Sequence, residues 1–462
     1  MDSVCPTDGA DQSLAVARLR SFRDEAFGCL GRRGDALFEL VDALLTAESM
    51  PSLPHLSLLP IHRRGWGSAY AALAVGEVDA DRLAEVVAAQ APEVTSPVFA
   101  VDASTWARCD AECSPGRGFY YSPTRHSAGQ PIVAGWCYSW IAQLGFDRDS
   151  WTAPLDARRV PAGEDVGRVT AAQIRALTGR LRVTETAPMF VFDAGYDPIA
   201  LTVDLADLPL AVLVRIRSDR VFYAAPTSVP GRLGRPPRHG ARFLCADPTS
   251  WPAPEQALQV DDEQYGQVSV QSWPGLHPKL AGRGRWSGCP EPPIVPGTVI
   301  RVQVEHLPRP TARAVKTLWL WWAGSGRPDL DRCWRAYIRR FDLEHTFRFC
   351  KQALSWTTPG GAPQSRPTAG PGWCSSPTPS CTWPAPSPLT PGCPGNGAYP
   401  GTGSPRPESD EISPGCCPSW ARQPAHRNPA AAPQDDRPAA DEEQHPASQQ
   451  SRRPPPELKS QA

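Results

Sequence analysis

Met189-Phe190-Val191-Phe192-Asp193 is an unbroken apolar run that stops on a carboxylate, and Val98-Phe99-Ala100-Val101-Asp102 shows the same pattern earlier in the chain. Short continuous apolar runs without alternation are the mark of strands buried on both faces. Working outward, Pro131 to Leu144 is rich in Val, Ile, Trp and Tyr and reads as a longer strand, and Leu210 to Ile216 as another buried one. Ala171 to Leu181 has helical periodicity. Strands separated by helical stretches predict an α/β sheet. Residues 218–310, broken by frequent Pro and Gly, read as an irregular β-rich insertion in that domain. The core then resumes with a strand, Ala314 to Trp322, and one long helix from Asp329 to Leu354.

The residues before this region, 1–92, read as a helical domain. Asp35 is placed to cap a helix carrying Leu37, Leu40, Val41, Leu44 and Leu45, and Asp79 to cap another carrying Leu83, Val86 and Val87. Between them, His62-Arg63-Arg64-Gly65-Trp66 is basic and aromatic, which suits a polyanion backbone, although an ordinary interhelical connection has the same composition. The α/β domain is expected over 93–356. Beyond it, residues 359–462 hold 24 Pro in 104 positions with little periodicity. Such a segment buries too little apolar area to offset its ordering entropy, so 357–462 is expected to be a disordered tail.

Composition narrows the class. Lys and Arg number 47 against 48 Asp and Glu, so overall charge points to no partner. Local charge does: residues 215–243 carry seven Arg against the single acid Asp219, and 301–351 carry eleven basic residues against five acids. Such patches suit a polyanion, or form a solvated face balanced elsewhere. The polar, acidic first ten residues and the lack of a long apolar stretch predict neither secretion nor a membrane span, hence a cytoplasmic location. The 14 Cys are scattered, and Cys109 with Cys113 lacks the second pair that a zinc site needs.

Carboxylates at strand ends are held rigidly yet face solvent, and hard divalent cations take oxygen ligands of this kind. Asp102 and Asp193 are therefore candidate metal ligands, with a turn or helix-cap aspartate as the plainer reading of each. In the helix from Asp329, Tyr337, Arg340, Glu344 and Lys351 fall within roughly 60° of one another at about 100° per residue. One side of that helix would pack through Leu330, Trp334, Ile338 and Phe341, and the neighbouring side would present a phenol, a guanidinium, a carboxylate and an ammonium. An i,i+4 ion pair between Arg340 and Glu344 is the plainer alternative. Trp319, Trp321 and Trp322, on the strand entering this helix, read first as core, with stacking on an extruded base as the sharper alternative.

These residues carry a specific resemblance. Tyr337-x-x-Arg340-x-x-x-Glu344 with Lys351 seven residues on resembles the Y-(2)-R-(3)-E-(6)-K signature of bacterial insertion-sequence transposases with an Asp-Asp-Glu triad. Phe192-Asp193-Ala194-Gly195-Tyr196 resembles that group's second-Asp motif, and Val101-Asp102-Ala103-Ser104 its first. The resemblance covers about residues 12–356. It implies a ribonuclease H-like catalytic domain in which Asp102, Asp193 and Glu344 hold two Mg²⁺ ions, with Mn²⁺ as a substitute. It further implies that Arg340, Lys351 and Tyr337 grip the DNA backbone, that Arg63 and Arg64 belong to the end-binding helical domain, and that Asp197 is the rival for the second metal position. The partners it implies are double-stranded DNA, as transposon terminal inverted repeats and as target, and a second copy of the chain on that DNA. Strand cleavage and strand transfer are the expected reactions, in a nucleoid-associated protein.

The tail departs from the group, whose members continue past the catalytic helix with further apolar helices. With 43 Arg against 4 Lys the coding DNA is expected to be GC-rich, and a shifted frame in such DNA yields Pro, Ala, Gly, Arg and Ser. A frameshift near codon 359 is one reading and a native Pro-rich tail the other. The first leaves a non-catalytic DNA-binding remnant as the alternative function, and a host nuclease on the same fold is a third.

Overall fold

Whether each apolar run becomes a strand depends on what it packs against, and here the runs assemble side by side. The computed structural model describes residues 6–48, 52–109, 115–121, 132–147, 149–182, 186–227, 237–280, 284–307 and 316–354. The tail expected over 357–462, Trp356 and Cys113 lie outside the described residues.

Five helices come first: α1 (Pro6–Phe27), α2 (Gly34–Thr46), the single turn α3 (Leu53–Leu56), α4 (Trp66–Val75) and α5 (Ala80–Ala88). Leu37, Leu40, Leu53, Leu56, Ala69 and Ala72 form the small core of α2, α3 and α4. Asp79 caps α5 as expected, its carboxylate accepting the Arg82 N–H at 3.0 Å. Asp35 does not cap α2. The residue before the helix is Arg33, at φ 64° with no side-chain cap, and Asp35 lies in the first turn, ion-paired with Arg64 at 3.5 Å. The last helix reaches the next layer, because Ala88 of α5 packs with Leu155 and Ile174.

The sheet strands are β1 (Val98–Ala107), β2 (Gly118–Tyr121), β3 (Ile132–Leu144), β4 (Thr152–Val160), β5 (Met189–Phe192), β6 (Ala211–Ile216), β7 (Val221–Tyr223), β8 (Arg242–Leu244), β9 (Gln256–Asp262), β10 (Gly266–Leu276), β11 (Gly297–Val304) and β12 (Thr317–Ala323). The helices α6 (Val166–Thr178) and α7 (Pro198–Asp204) connect strands, and α8 (Leu330–Arg339) and α9 (Asp342–Arg348) close the described chain. Among the described residues ten strands form one sheet in the order β2-β3-β1-β5-β6-β12-β11-β10-β9, with β4 also on β3. The β1–β3 and β3–β4 pairs are antiparallel, and β1–β5 and β5–β6 are parallel. The two parallel pairs sit in the middle, covered on both faces, which is why these strands read as continuous apolar runs.

Strand alternation sorts the core into two layers. Phe99, Val101, Phe190 and Phe192 face α6 and α7. Val98, Ala100, Met189 and Val191 face the other way, toward Leu330, Trp334, Tyr337, Leu343 and Phe347 of α8 and α9.

Three sequence expectations change. The β-rich segment 218–310 is more regular than expected: β9, β10 and β11 extend the same sheet beyond β12, and among the described strands only β7 and β8 pair apart from it. β1 does not stop at Asp102 but runs to Ala107, because β3 continues to pair with it there. The helix from Asp329 is not continuous. Phe341, Leu343 and Glu344 donate their N–H groups to Ile338, Arg340 and Phe341, three residues back, so the chain tightens between α8 and α9. After α9, Phe349–Ala353 forms a π-helical turn.

Candidate catalytic site

The parallel register brings the two aspartates level. Val98 lies opposite Met189, Phe99 opposite Phe190 and Ala100 opposite Val191. Two residues further on, the same offset sets Asp102 beside Asp193. The 91-residue spacing of the aspartates is therefore the register offset of the strands that carry them. Both also share the parity of the residues that face α8 and α9, so both carboxylates belong to the face those helices cover.

Asp193 follows β5 directly, and its Oδ1 accepts the Gly195 N–H at 2.8 Å. Glycine suits that position, since a Cβ on Gly195 would lie 3.0 Å from the same oxygen. Asp197 is engaged elsewhere: it caps α7, its Oδ1 accepting the N–H groups of Ile199 at 2.9 Å and Ala200 at 3.2 Å.

From above the sheet comes Arg340, at the junction of α8 and α9. It is 4% exposed, and its Nη1 donates to Asp102 Oδ2 at 3.1 Å. Its guanidinium lies over the Phe341 ring at 4.6 Å. Burial opposes its charge, yet Asp102, Tyr337, Asp193 and Glu344 together hold it above the ordinary guanidinium range. Asp102 is pushed up to about 6, chiefly by burial; Arg340 and the Ala103 N–H favour its ionised form, and Asp193 and Glu344 disfavour it. Three carboxylates thus act on one guanidinium, and Asp102 is the one hydrogen-bonded to it. Glu344, in the first turn of α9, is the exposed member of the set.

Lys351, on the π-helical turn, is half-buried. Burial lowers its ammonium from the usual range, while Asp102 and the Cys350 and Cys137 thiols favour the charge. The widened turn therefore leaves Lys351 within the field of Asp102 although the helix has been interrupted twice. Tyr337 departs from expectation. The sequence puts its phenol on a presented face, but the ring is 2% exposed and packs edge-on against Phe341 at 5.9 Å. Trp319, Trp321 and Trp322 are core residues: the first two join the cluster around Phe222 and Phe243, the third the layer under α8.

Arg63 and Arg64 are exposed between α3 and α4, and both lie within ion-pair distance of Glu39 on α2, at 3.7 and 3.3 Å. Trp66 beside them is exposed and meets Tyr70 edge-on at 5.8 Å.

Arg215 begins the basic stretch 215–243 but is not singled out within it by the sequence. Met189 pairs with Ala211 and Phe192 with Val214, so the same offset sets Arg215 level with Asp193. It alternates with Ala211 and Leu213, which face α8, and its charge reaches Tyr337. A lone arginine at that parity in an otherwise apolar strand is the signal that could have found it.

Carboxylate oxygens from β1, from the end of β5 and from α9 are the hard donors a divalent cation takes, and the guanidinium among them already answers their mutual repulsion. The chemistry of the donors suits such an ion, but their placement does not gather them around one point. No three of His, Cys, Asp and Glu stand close enough to close a ligand shell as placed, among the described residues. No helix among the described residues is long and apolar enough to cross a membrane.

The model of a family described as DDE superfamily endonuclease matches residues 25–275, more than half of the chain. That span includes Asp102, Asp193 and most of the helical region, and ends before Glu344. No curated protein matches this chain. Among solved structures, one similar chain is the piggyBac transposase in its cryo-EM synaptic complex with hairpin DNA, at 11% identity and a TM-score of 0.34, covering 72% of this chain and 60% of that one.

Proposed function

Because this chain belongs to the DDE superfamily endonucleases, we propose that it is a DNA transposase of the Y-R-E-K signature group, acting on the terminal inverted repeats of its element and on target DNA. The observation that carries the reading is the equality between the spacing of Asp102 and Asp193 and the register of β1 and β5, which sets two aspartates level on the face that α8 and α9 cover. The strand order β4-β3-β1-β5-β6, antiparallel in the first pairs and parallel in the last two, supports a ribonuclease H-like core.

In this reading Asp102, Asp193 and Glu344 hold the divalent ions, two Mg²⁺ with Mn²⁺ as a substitute. Bound there, the ions supply Lewis acidity to an in-line displacement at phosphorus and neutralise its charge. The chain's own residues prepare the place. Arg340 keeps Asp102 oriented and offsets the repulsion among the acids. Lys351, with Arg215 at the neighbouring strand, offers cations to the phosphates on either side of the cleaved bond. The α8–α9 junction buries Arg340 over Asp102 and limits the water around that pair. Water and then the freed 3′ hydroxyl are the nucleophiles. Arg63, Arg64 and the exposed Trp66 make the helical region 1–92 the end-binding part, and two copies of the chain on DNA are the expected assembly.

The test is cleavage of a duplex carrying the element's terminal repeat, with Mg²⁺, by the full chain and by Asp102→Ala and Glu344→Ala. Each substitution removes a metal ligand, so cleavage falls to background while repeat binding stays within about threefold, the bulk of affinity coming from phosphate contacts elsewhere. Undiminished cleavage by either variant rejects the assignment.

A further inference from the structure

A second candidate site lies on the opposite face of the sheet, past the end of β6. A cleft of about 470 Å³ is lined by Pro198 and Ile199 from α7, by Ile216, Arg217 and Asp219 to Tyr223 around the β6–β7 turn, and by Pro278 and Lys279 after β10. Its volume falls in the roughly 300–1,000 Å³ range of small-molecule sites. The lining has two chemistries. Arg217, Arg220 and Lys279 are cations against the single acid Asp219, whereas Pro198, Ile199, Phe222 and Tyr223 form an apolar and aromatic wall. Elsewhere Arg285 and Arg175 are tied to Asp204 and Asp207, but Arg217, Arg220 and Lys279 make no ion pair among the described residues.

The wall is fixed in advance. Tyr223 and His277 exchange both backbone hydrogen bonds, at 2.8 and 2.9 Å, and the His239 ring lies 5.3 Å from the Tyr223 ring and hydrogen-bonds His277 at 2.9 Å. The positive field is felt there: burial lowers both imidazoles, and Arg238 lowers them further, joined by Lys279 at His239 and by His239 itself at His277. A simple anion would use the cations and leave the apolar wall bare, and an apolar ligand would do the reverse. A nucleotide uses both. The cleft also adjoins the acids through the chain, since Pro198 follows Asp193 by five residues and Ile216 follows Arg215.

We propose that this cleft receives one unpaired nucleotide of a DNA strand, with its phosphates on Arg217, Arg220 and Lys279 and its sugar and base against Tyr223, Ile199 and Pro198. The assignment to a strand rests on the proposed DNA-cleaving function; the chemistry of the cleft does not.

The experiment measures binding of a fluorescent oligo-dT and of a matched duplex to the full chain without divalent metal, with dTMP as competitor. Each phosphate neutralised by a cation adds about 0.7 to the salt slope of single-strand binding, so Arg217→Ala/Arg220→Ala should flatten that slope by about 1.4 and weaken oligo-dT about tenfold or more. Tyr223→Ala should weaken it by about fivefold or more with the slope unchanged, and Tyr223→Phe should restore it, because stacking needs the ring and not the hydroxyl. Photocrosslinking of a 5-iododeoxyuridine strand should label Tyr223. Unchanged oligo-dT binding and no Tyr223 crosslink in folded variants overturn the cleft. Equal losses for strand and duplex reduce it to a surface phosphate contact and overturn the nucleotide. Binding of dTMP as tight as that of the strand overturns the strand. Since no metal is present, normal binding by the cleft variants beside triad-dependent cleavage would sink only this proposal, and cleft binding in a chain that never cleaves DNA would sink only the proposed function.

Discussion

Arg340 puts one guanidinium where Asp102, Asp193 and Glu344 would otherwise repel each other without relief. Its removal leaves a partly buried carboxylate without its partner, a change that costs about 1–3 kcal/mol. Arg340→Ala should therefore melt well below the parent in metal-free buffer, as read by thermal denaturation. Mg²⁺ should restore more of that loss than it adds to the parent, because it supplies the missing positive charge. An unchanged melting temperature would mean that the acids do not depend on Arg340. At this scale the sequence is informative where chemistry follows from spacing, and misleading where it follows from packing. Asp193 ranks above Asp197 because it directly follows the apolar run, and the capping bonds of Asp197 give the physical ground for that preference. Tyr337 falls on a presented face only when the packing stripe is drawn through Ile338 and Phe341; within α8 it follows Trp334 by three residues and Leu330 by seven and shares their buried face.

Among the elements, β3 holds β1 so closely that Gly135 has no room for a side chain: a Cβ there would lie 2.0 Å from the Trp106 carbonyl oxygen. Gly135→Ala should destabilise by about 1–3 kcal/mol or more, since overpacking at backbone cannot be relieved by a rotamer change. Chemical denaturation measures this, and parental stability would show that the pair can part without cost. The same reasoning applies to an element that sequence pattern conceals. β4 contains Pro154, Asp156, Arg158 and Arg159, a composition that hides a strand, and it exists because it pairs only with β3 and bulges at Leu155, where Pro154 needs no ladder N–H. β7 offers a pH test. His239 and His277 titrate below the ordinary histidine value in the fold, so the native state binds fewer protons than the unfolded chain in that window. The stability they contribute is present above about pH 6.5 and is lost as pH falls below it. His277→Asn should flatten the fall in melting temperature between about pH 7 and pH 5, and an unchanged slope would locate the acid sensitivity elsewhere.

For the whole molecule, the α/β sheet can be read from two apolar runs, but its width cannot. β9, β10 and β11 alternate and carry polar residues on one face, so the segment 218–310 reads as an insertion although its main strands prolong the central sheet. Their place depends on β12 pairing with β6 on one side and β11 on the other, a long-range choice that local pattern does not encode. The division into a helical end-binding region and a catalytic region is likewise a proposal about how one sheet and five preceding helices share DNA. All of it rests on the two parallel strands delivering their aspartates to one point. The most direct measurement is therefore Mg²⁺-dependent cleavage of a terminal-repeat duplex by Asp193→Ala beside Asp197→Ala, with both proteins checked for folding. The account predicts that Asp193→Ala lowers the rate by about a thousandfold or more, on the order of 4 kcal/mol of transition-state stabilisation, while Asp197→Ala, which loses only a helix cap, stays within about tenfold of the parent. Normal cleavage by Asp193→Ala with loss in Asp197→Ala would contradict it.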